Sequence, residues 1–191
     1  MKHALFIGRF QPFHTGHLDA LYWAYNNFKK VVDDPKDALF HVVIGHSQDE
    51  LNYKHFWDRV FVEKMINLCI GHLSPIKICI DHVKDINKPS DYGLRVFNVA
   101  GISRWEPKYI YSDNKSTLVC FKELDVTNSV EVPTFAKFNK RGTEIRLMIT
   151  SYLLGIDTST DFMQYIPAPC REMMTGWLNE QIDKKVQHVD L

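Results

Sequence analysis

The chain has 191 residues, of which 45% are apolar and 24% charged, so disorder as its main state is excluded. Its 23 basic and 23 acidic residues cancel to a formal charge of zero. No run of Lys or Arg is long enough for a nucleic-acid tract, so no nucleic-acid partner is expected. The length fits a single domain over residues 1–191, with the stretch from about 167 to 191 as a helical appendage. Cys69, Cys79, Cys120 and Cys170 form no Cys-x-x-Cys pair, which fits reduced thiols in a cytoplasmic protein. The apolar run Ala4 to Ile7 is too short for a signal segment. No stretch approaches the roughly 20 apolar residues that cross a bilayer, so no membrane partner is expected.

In chain order, Ala4-Leu5-Phe6-Ile7 is a continuous apolar run ending at Gly8, the pattern of a strand buried on both faces. Thr15 is placed to cap a helix with Asp19 in its first turn, and Leu18, Leu21, Tyr22 and Tyr25 recur at helical spacing up to about Lys30. After the turn at Asp33–Asp37, Leu39 to Gly45 gives a second strand. Phe56 to about Leu73 gives a second helix, with Phe56, Val60, Phe61, Met65, Leu68 and Cys69 expected on its inner side. Ile76 to Val83 is the third strand. A helix follows from Pro89 towards Ile102, then a short strand at Tyr109-Ile110-Tyr111 and a weak helix at Leu118 to Leu124. Val130 to Phe135 is a fifth strand, which Pro133 places near a sheet edge. Gly142-Thr143 opens a helix ending near Gly155, and a last helix follows Pro167 and Pro169 to about Val186. Alternating strands and helices predict an α/β, doubly wound parallel sheet with a C-terminal helical segment. Ligands of such sheets sit at the carboxyl ends of strands, where strand order reverses.

Gly8 stands directly after the first strand, in Gly8-Arg9-Phe10-Gln11-Pro12-Phe13-His14-Thr15-Gly16-His17. Gly8 permits a sharp turn and a close approach by a ligand. His14 and His17, three apart with Gly16 between them, are able to face one point over a helix N-terminus. The dipole and N–H groups of that terminus favour an anion, and Arg9 adds a permanent charge. The pattern is that of a phosphate site. His-x-x-His is also a metal-binding spacing, but no third ligand follows at metal spacing, so no protein metal site is expected.

The string resembles the His-x-Gly-His signature of the nucleotidyltransferase superfamily. In its fuller form, Gly-Arg-Phe-Gln-Pro-Phe-His-x-Gly-His, it resembles the archaeal-type nicotinamide mononucleotide adenylyltransferases. Late in the chain, Arg141-Gly142-Thr143-Glu144-Ile145-Arg146 is similar to the family's Ile-Ser-x-Thr-x-x-Arg, with Arg141 in place of the Ser. Thr143 is expected to cap that helix and Arg146 to sit in its first turn. Weaker echoes lie between: Ile44 to Gln48, Phe56 to Arg59, Val83-Lys84-Asp85-Ile86, and Tyr111-Ser112-Asp113-Asn114. Lys54 is the nearby candidate to stand in for an Arg of that family. Tyr92 falls where the family carries a stacking Trp.

The resemblance implies a Rossmann-like fold and transfer of AMP from ATP to nicotinamide mononucleotide, giving NAD and pyrophosphate, with Mg²⁺ accompanying ATP. It implies His14, His17 and Arg146 as catalytic residues, and Gly8, Arg9, Phe10, Gly16 and Thr143 at the ATP phosphates. It places Asp85 and Tyr92 at the acceptor, and implies a homo-oligomer. Transfer of an adenylyl or cytidylyl group to another small phosphate ester is the alternative within the enzymes. A non-catalytic nucleotide sensor is the alternative outside them. The bland readings are surface histidines, a solvated Arg146, a turn carboxylate at Asp85 and packed aromatics at Tyr92, Trp57, Trp105 and Trp177. The surrounding string weighs against the first two.

Overall fold

The computed structural model describes residues 1–45, 56–84, 86, 88–103, 105–133 and 140–187. The described elements are β1 (Lys2–Gly8), α1 (Thr15–Lys29), β2 (Ala38–Gly45), α2 (Arg59–Ile70), β3 (Lys77–Val83), α3 (Pro89–Val99), β4 (Lys108–Ser112), α4 (Lys115–Val119), β5 (Asn128–Glu131), α5 (Gly142–Leu153) and α6 (Arg171–Gln187). The strands form one sheet in the order β3-β2-β1-β4-β5, and every pairing is parallel. The chain winds outward from β1 through β2 to β3, then returns to the other side of β1 for β4 and β5. Strand order therefore reverses between β1 and β4, and the crevice that doubly wound sheets offer to ligands opens beyond Gly8 and Ser112.

The two faces of the sheet account for the unbroken apolar run in β1. Ala4 and Phe6 join a core with Phe40, Val42, Leu21, Met65, Ile145 and Met174, supplied by β2, α1, α2, α5 and α6. Leu5 and Ile7 face the other way, packing with Val43, Val83, Val96, Phe97, Ile110 and Phe121 under α3. A strand covered on both sides has no polar alternation to show. The second face also carries a polar row that runs diagonally from the amino end of β1 to the middle of β3. His3 Nδ1 lies 3.1 Å from His41 Nε2, and His41 Nδ1 lies 2.7 Å from an Asp81 oxygen. Burial holds His3 below the usual histidine range, against the opposing pull of Glu106.

Several boundaries differ from the expectation. The second helix starts at Arg59, because Asp58 caps it by accepting from Phe61 N–H at 2.8 Å. Its buried residues are Val62, Met65, Ile66, Cys69 and Ile70, whereas Val60 and Leu68 are exposed. Met65 and Cys69 are buried as expected, and Phe56 and Phe61 pack against the same core; a sequence rich in apolar residues all round does not settle the edges of its buried stripe. The helix from Pro89 stops at Val99, where Gly101 takes a left-handed φ of 67°. The weak helix of 118–124 is instead α4, capped by Asn114 accepting from Ser116 N–H at 2.9 Å. The fifth strand is an edge strand, as Pro133 suggested, but it begins at Asn128 and ends at Glu131; Phe135 lies outside the described residues.

The C-terminal helix is part of the main core. Met174 and Leu178 are buried in it, and Cys170, just ahead of α6, donates from Sγ to the Met65 carbonyl at 3.2 Å. The Cys69 and Cys170 sulfurs lie 3.4 Å apart as free thiols. Among the described residues no helix is long and apolar enough to cross a membrane.

Two helical glycines give opposite expectations. A Cβ on Gly93 would sit 2.4 Å from the Cys120 carbonyl oxygen, whereas one on Gly176 meets nothing within 4 Å. Gly93→Ala forces α3 off the turn after α4 and is expected to cost about 1–3 kcal/mol. Gly176→Ala removes backbone entropy from the unfolded chain and is expected to stabilise by about 0.5–1 kcal/mol. Urea unfolding midpoints of the two variants moving in opposite directions is the outcome to check.

Candidate active site

The loop from Gly8 to His14 is shaped by an aromatic packed onto a glycine. Phe10 has a left-handed φ of 53° and is 1% exposed. A Cβ on Gly8 would lie 2.6 Å from the Phe10 ring, so glycine is required there by the neighbouring side chain. The ring packs against Phe6, Phe13 and His17, with centroids 5.6, 5.7 and 5.2 Å away. Phe10 is thus a support of the loop, buried below it.

His14, not Thr15, caps α1. His14 Nδ1 accepts from His17 N–H at 3.3 Å, and His17 Nδ1 accepts from His14 N–H at 3.4 Å. The pattern is a capping box built from two imidazoles in place of Ser and Glu. Asp19 falls one residue past the first turn, which holds no acid. The two rings stack with centroids 3.7 Å apart. Gly16, between them, adds no side chain of its own to the first turn.

This arrangement sets the protonation state. A ring nitrogen that accepts from a backbone N–H carries no proton, so each imidazole holds its proton on Nε2. Both rings are half-buried. Burial is the larger cause that lowers His14 to about 2, with His17 beside it adding to the effect and Asp113 opposing it. Burial likewise lowers His17 to about 4, with the Pro12 carbonyl opposing. At neutral pH the site therefore offers two uncharged donors, and its positive charge comes from arginines.

Arg146 reaches this loop from α5. Its Nη1 donates to the Gln11 carbonyl and its Nη2 to Thr143 Oγ1 at 3.0 Å. Burial, and then the nearby Arg9 guanidinium, push Arg146 below its ordinary value. The amino end of α5 lies directly on the loop: a Cβ on Gly142 would sit 2.9 Å from the Gln11 carbonyl oxygen. Thr143 does not cap the helix. Arg141 occupies the cap position, and Glu144 accepts from its N–H at 2.8 Å. The threonine hydroxyl instead serves Arg146, which lies in the second turn of α5.

The loop thus gathers Gly8, Arg9, Phe10, His14, Gly16 and His17 beside Thr143 and Arg146. Tyr92 is 7% exposed, in the core under α3. Its hydroxyl lies 3.0 Å from where a Gly45 Cβ would be, at the end of β2. The ring is packed and its hydroxyl stands at the strand end. Asp85, Lys54 and the segment His46 to Gln48 lie outside the described residues. Gln11 was passed over in the sequence, because its contacts join segments far apart in the chain.

The cytidylyltransferase-like family model matches residues 5–146, from within β1 to Arg146. Over 166 residues the chain is 22% identical to a nicotinamide-nucleotide adenylyltransferase of Aeropyrum pernix, covering 79% of this chain and 81% of that one. It is 22% identical over 164 residues to serine/threonine-protein kinase 2 of fowlpox virus, covering 84% of this chain and 34% of that one. A bifunctional NMN adenylyltransferase/ADP ribose pyrophosphatase from Francisella tularensis, solved with AMP and a Mn ion, matches with a TM-score of 0.64 at 20% identity. That match covers 99% of this chain and 54% of the other. The chain thus spans 34% of the viral protein and 54% of the Francisella chain.

Neutral, half-buried histidines make the fold acid-sensitive. Their folded-state values lie below the ordinary 6.5, so beneath that pH the unfolded chain binds protons that the folded chain refuses. Stability should be full above about pH 7 and fall as pH drops towards 4, each histidine adding a slope of up to about 1.4 kcal/mol per pH unit. His17→Gln should flatten the dependence. Chemical denaturation at pH 7 and pH 5 tests this, and equal slopes in wild type and variant would contradict it.

Proposed function

The chain belongs to the cytidylyltransferase-like family, and from that premise we propose that it transfers AMP from ATP to nicotinamide mononucleotide, forming NAD and pyrophosphate. The observation that carries the reading is the pair of stacked neutral imidazoles on a loop that Arg146 grips, with Arg9 close by. The Aeropyrum relative's activity and the AMP held by the Francisella enzyme support the choice of nucleotide and acceptor.

The acceptor is itself a phosphate, already ionised, so the reaction needs no strong general base. Its oxygen attacks the α-phosphorus of ATP in line and pyrophosphate leaves. Catalysis then consists of positioning and of neutralising charge on the phosphoryl oxygens. His17 donates from Nε2 to the α-phosphoryl oxygens. His14 and Arg9 support the phosphate chain, and Arg146 holds the β- and γ-phosphates, with Thr143 fixing one edge of its guanidinium. The small residues Gly8 and Gly16 let the phosphates approach the main chain. Mg²⁺ arrives on ATP as part of the substrate, held mainly by phosphate oxygens. A neutral donor suits this work: it stabilises charge as it develops without attracting the ground-state phosphate as strongly as an imidazolium would. Resemblance assigns Asp85 to the acceptor, and the Tyr92 hydroxyl at the end of β2 is assigned to it as well. We read residues 1–191 as one nucleotidyltransferase domain of a cytoplasmic homo-oligomer.

His17→Ala is expected to lower kcat by about 10²-fold or more while ATP binding changes little. Arg146→Ala is expected chiefly to raise the KM for ATP, with Arg146→Lys recovering only part, since an ammonium cannot copy a planar two-point grip. The deciding experiment is an acceptor panel with ATP and Mg²⁺, scored by pyrophosphate release. Nicotinamide mononucleotide should give the highest kcat/KM. A higher value for phosphopantetheine, glycerol phosphate or flavin mononucleotide would overturn the acceptor, and no release with any acceptor would point to a nucleotide sensor.

A further inference from the structure

Gln11 sits between the groups assigned to the phosphates and has itself no role among them. It is 7% exposed. Its side-chain amide pairs with the main chain of one residue: Nε2 donates to the Trp57 carbonyl at 2.7 Å, and Oε1 accepts from Trp57 N–H at 3.3 Å. Its own carbonyl accepts from Arg146. One residue thus joins three segments: the loop after β1, the approach to α2 and the start of α5.

We infer that Gln11 is a positioning residue for the ATP phosphates, setting Arg146 through the main chain of the loop. The inference rests on reading this site as the ATP site. Its partner at Trp57 is firmly held: the next residue, Asp58, caps α2, and the Trp57 indole packs on Phe61 and Trp177 at 6.1 and 5.1 Å. The loop itself is under strain, because Phe10 holds a left-handed φ that side chains other than glycine's rarely adopt. The Gln11–Trp57 pairing anchors the residue next to that strain. With the loop held, the Gln11 carbonyl and Thr143 Oγ1 fix two corners of the Arg146 guanidinium. Its five N–H groups are enough for those anchors and for phosphate oxygens as well.

The pairing needs a donor and an acceptor on one planar group. Gln11→Glu keeps the shape but sets a carboxylate oxygen against the Trp57 carbonyl until it is protonated, when its O–H replaces the amide N–H. Gln11→Met keeps the bulk and loses both bonds at every pH. The experiment measures binding of Mg-ATP to wild type and both variants by calorimetry at pH 8 and pH 5.5, with circular dichroism confirming the fold. At pH 8 both variants should bind about tenfold more weakly than wild type, the scale of a buried hydrogen-bonding partner left unsatisfied. At pH 5.5 the deficit of Gln11→Glu relative to wild type should shrink to about twofold as the buried carboxyl protonates, while that of Gln11→Met persists. Wild-type affinity in Gln11→Met at pH 8, or an equal Gln11→Glu deficit at both pH values, would overturn the assignment. Wild type that binds no ATP would instead overturn the reading of the site.

Discussion

The double hydrogen bond between the Gln11 amide and the Trp57 main chain is the contact on which the rest of the site depends. Phosphate-binding loops are made of main chain, and main chain without regular structure has no ladder of its own to hold it. Here the loop after β1 is held from below by the Phe10 ring on Gly8, and from the side by Gln11 on Trp57. Only a loop held in this way presents its Gln11 carbonyl as a fixed acceptor to Arg146. The order of causes runs from an amide pairing, to a loop shape, to the place of a guanidinium, and from there to the phosphates it is proposed to hold.

The site's charge is divided in an economical manner. Both imidazoles spend Nδ1 on capping α1 and are kept neutral by burial. The same two hydrogen bonds that begin the helix therefore fix the tautomer that the proposed chemistry would use. Permanent charge is left to Arg9 and Arg146, whose mutual repulsion the proposed phosphates would relieve. A histidine at the cap is weaker for helix formation than Ser or Asp would be. The first turn of α1 gives up some stability for a cap whose Nε2–H is left for the donor role proposed for it.

The alternation of strands and helices, the parallel sheet and the sharp turn after β1 were all legible in the sequence. Ala4 to Ile7 has no polar alternation because both faces are covered, and Gly8 marks where that run ends. The late motif was legible as well, since Gly142, Thr143 and Arg146 keep their spacing within one helix. Caps and faces were less so. Thr15 and Thr143 are good capping residues by type, yet His14 and Arg141 take those positions, because the reciprocal imidazole bonds and the Arg146 contact claim the local geometry. The buried stripe of α2 was legible at Met65 and Cys69 but not at Val60 and Leu68, which are exposed, because apolar residues all round that helix offer two plausible faces. Tyr92 stands by resemblance at the acceptor with a packed aromatic as the bland alternative, and α3 packs its ring while its hydroxyl reaches the end of β2. Gln11 escaped notice because its partners lie 46 and 135 residues away, and no local pattern encodes such a distance.

The contact between the last helix and the approach to α2 has an optical consequence. Four tryptophans occur in the chain, and two of them, Trp57 and Trp177, stand with ring centroids 5.1 Å apart and planes inclined by 50°. Two indoles so close and so inclined behave as one coupled chromophore, with a near-ultraviolet circular dichroism of its own. Gln11 holds the backbone of one member of that pair. The signal therefore reads the loop's anchorage from a point outside the site, with no label and no change to the residues assigned to the chemistry.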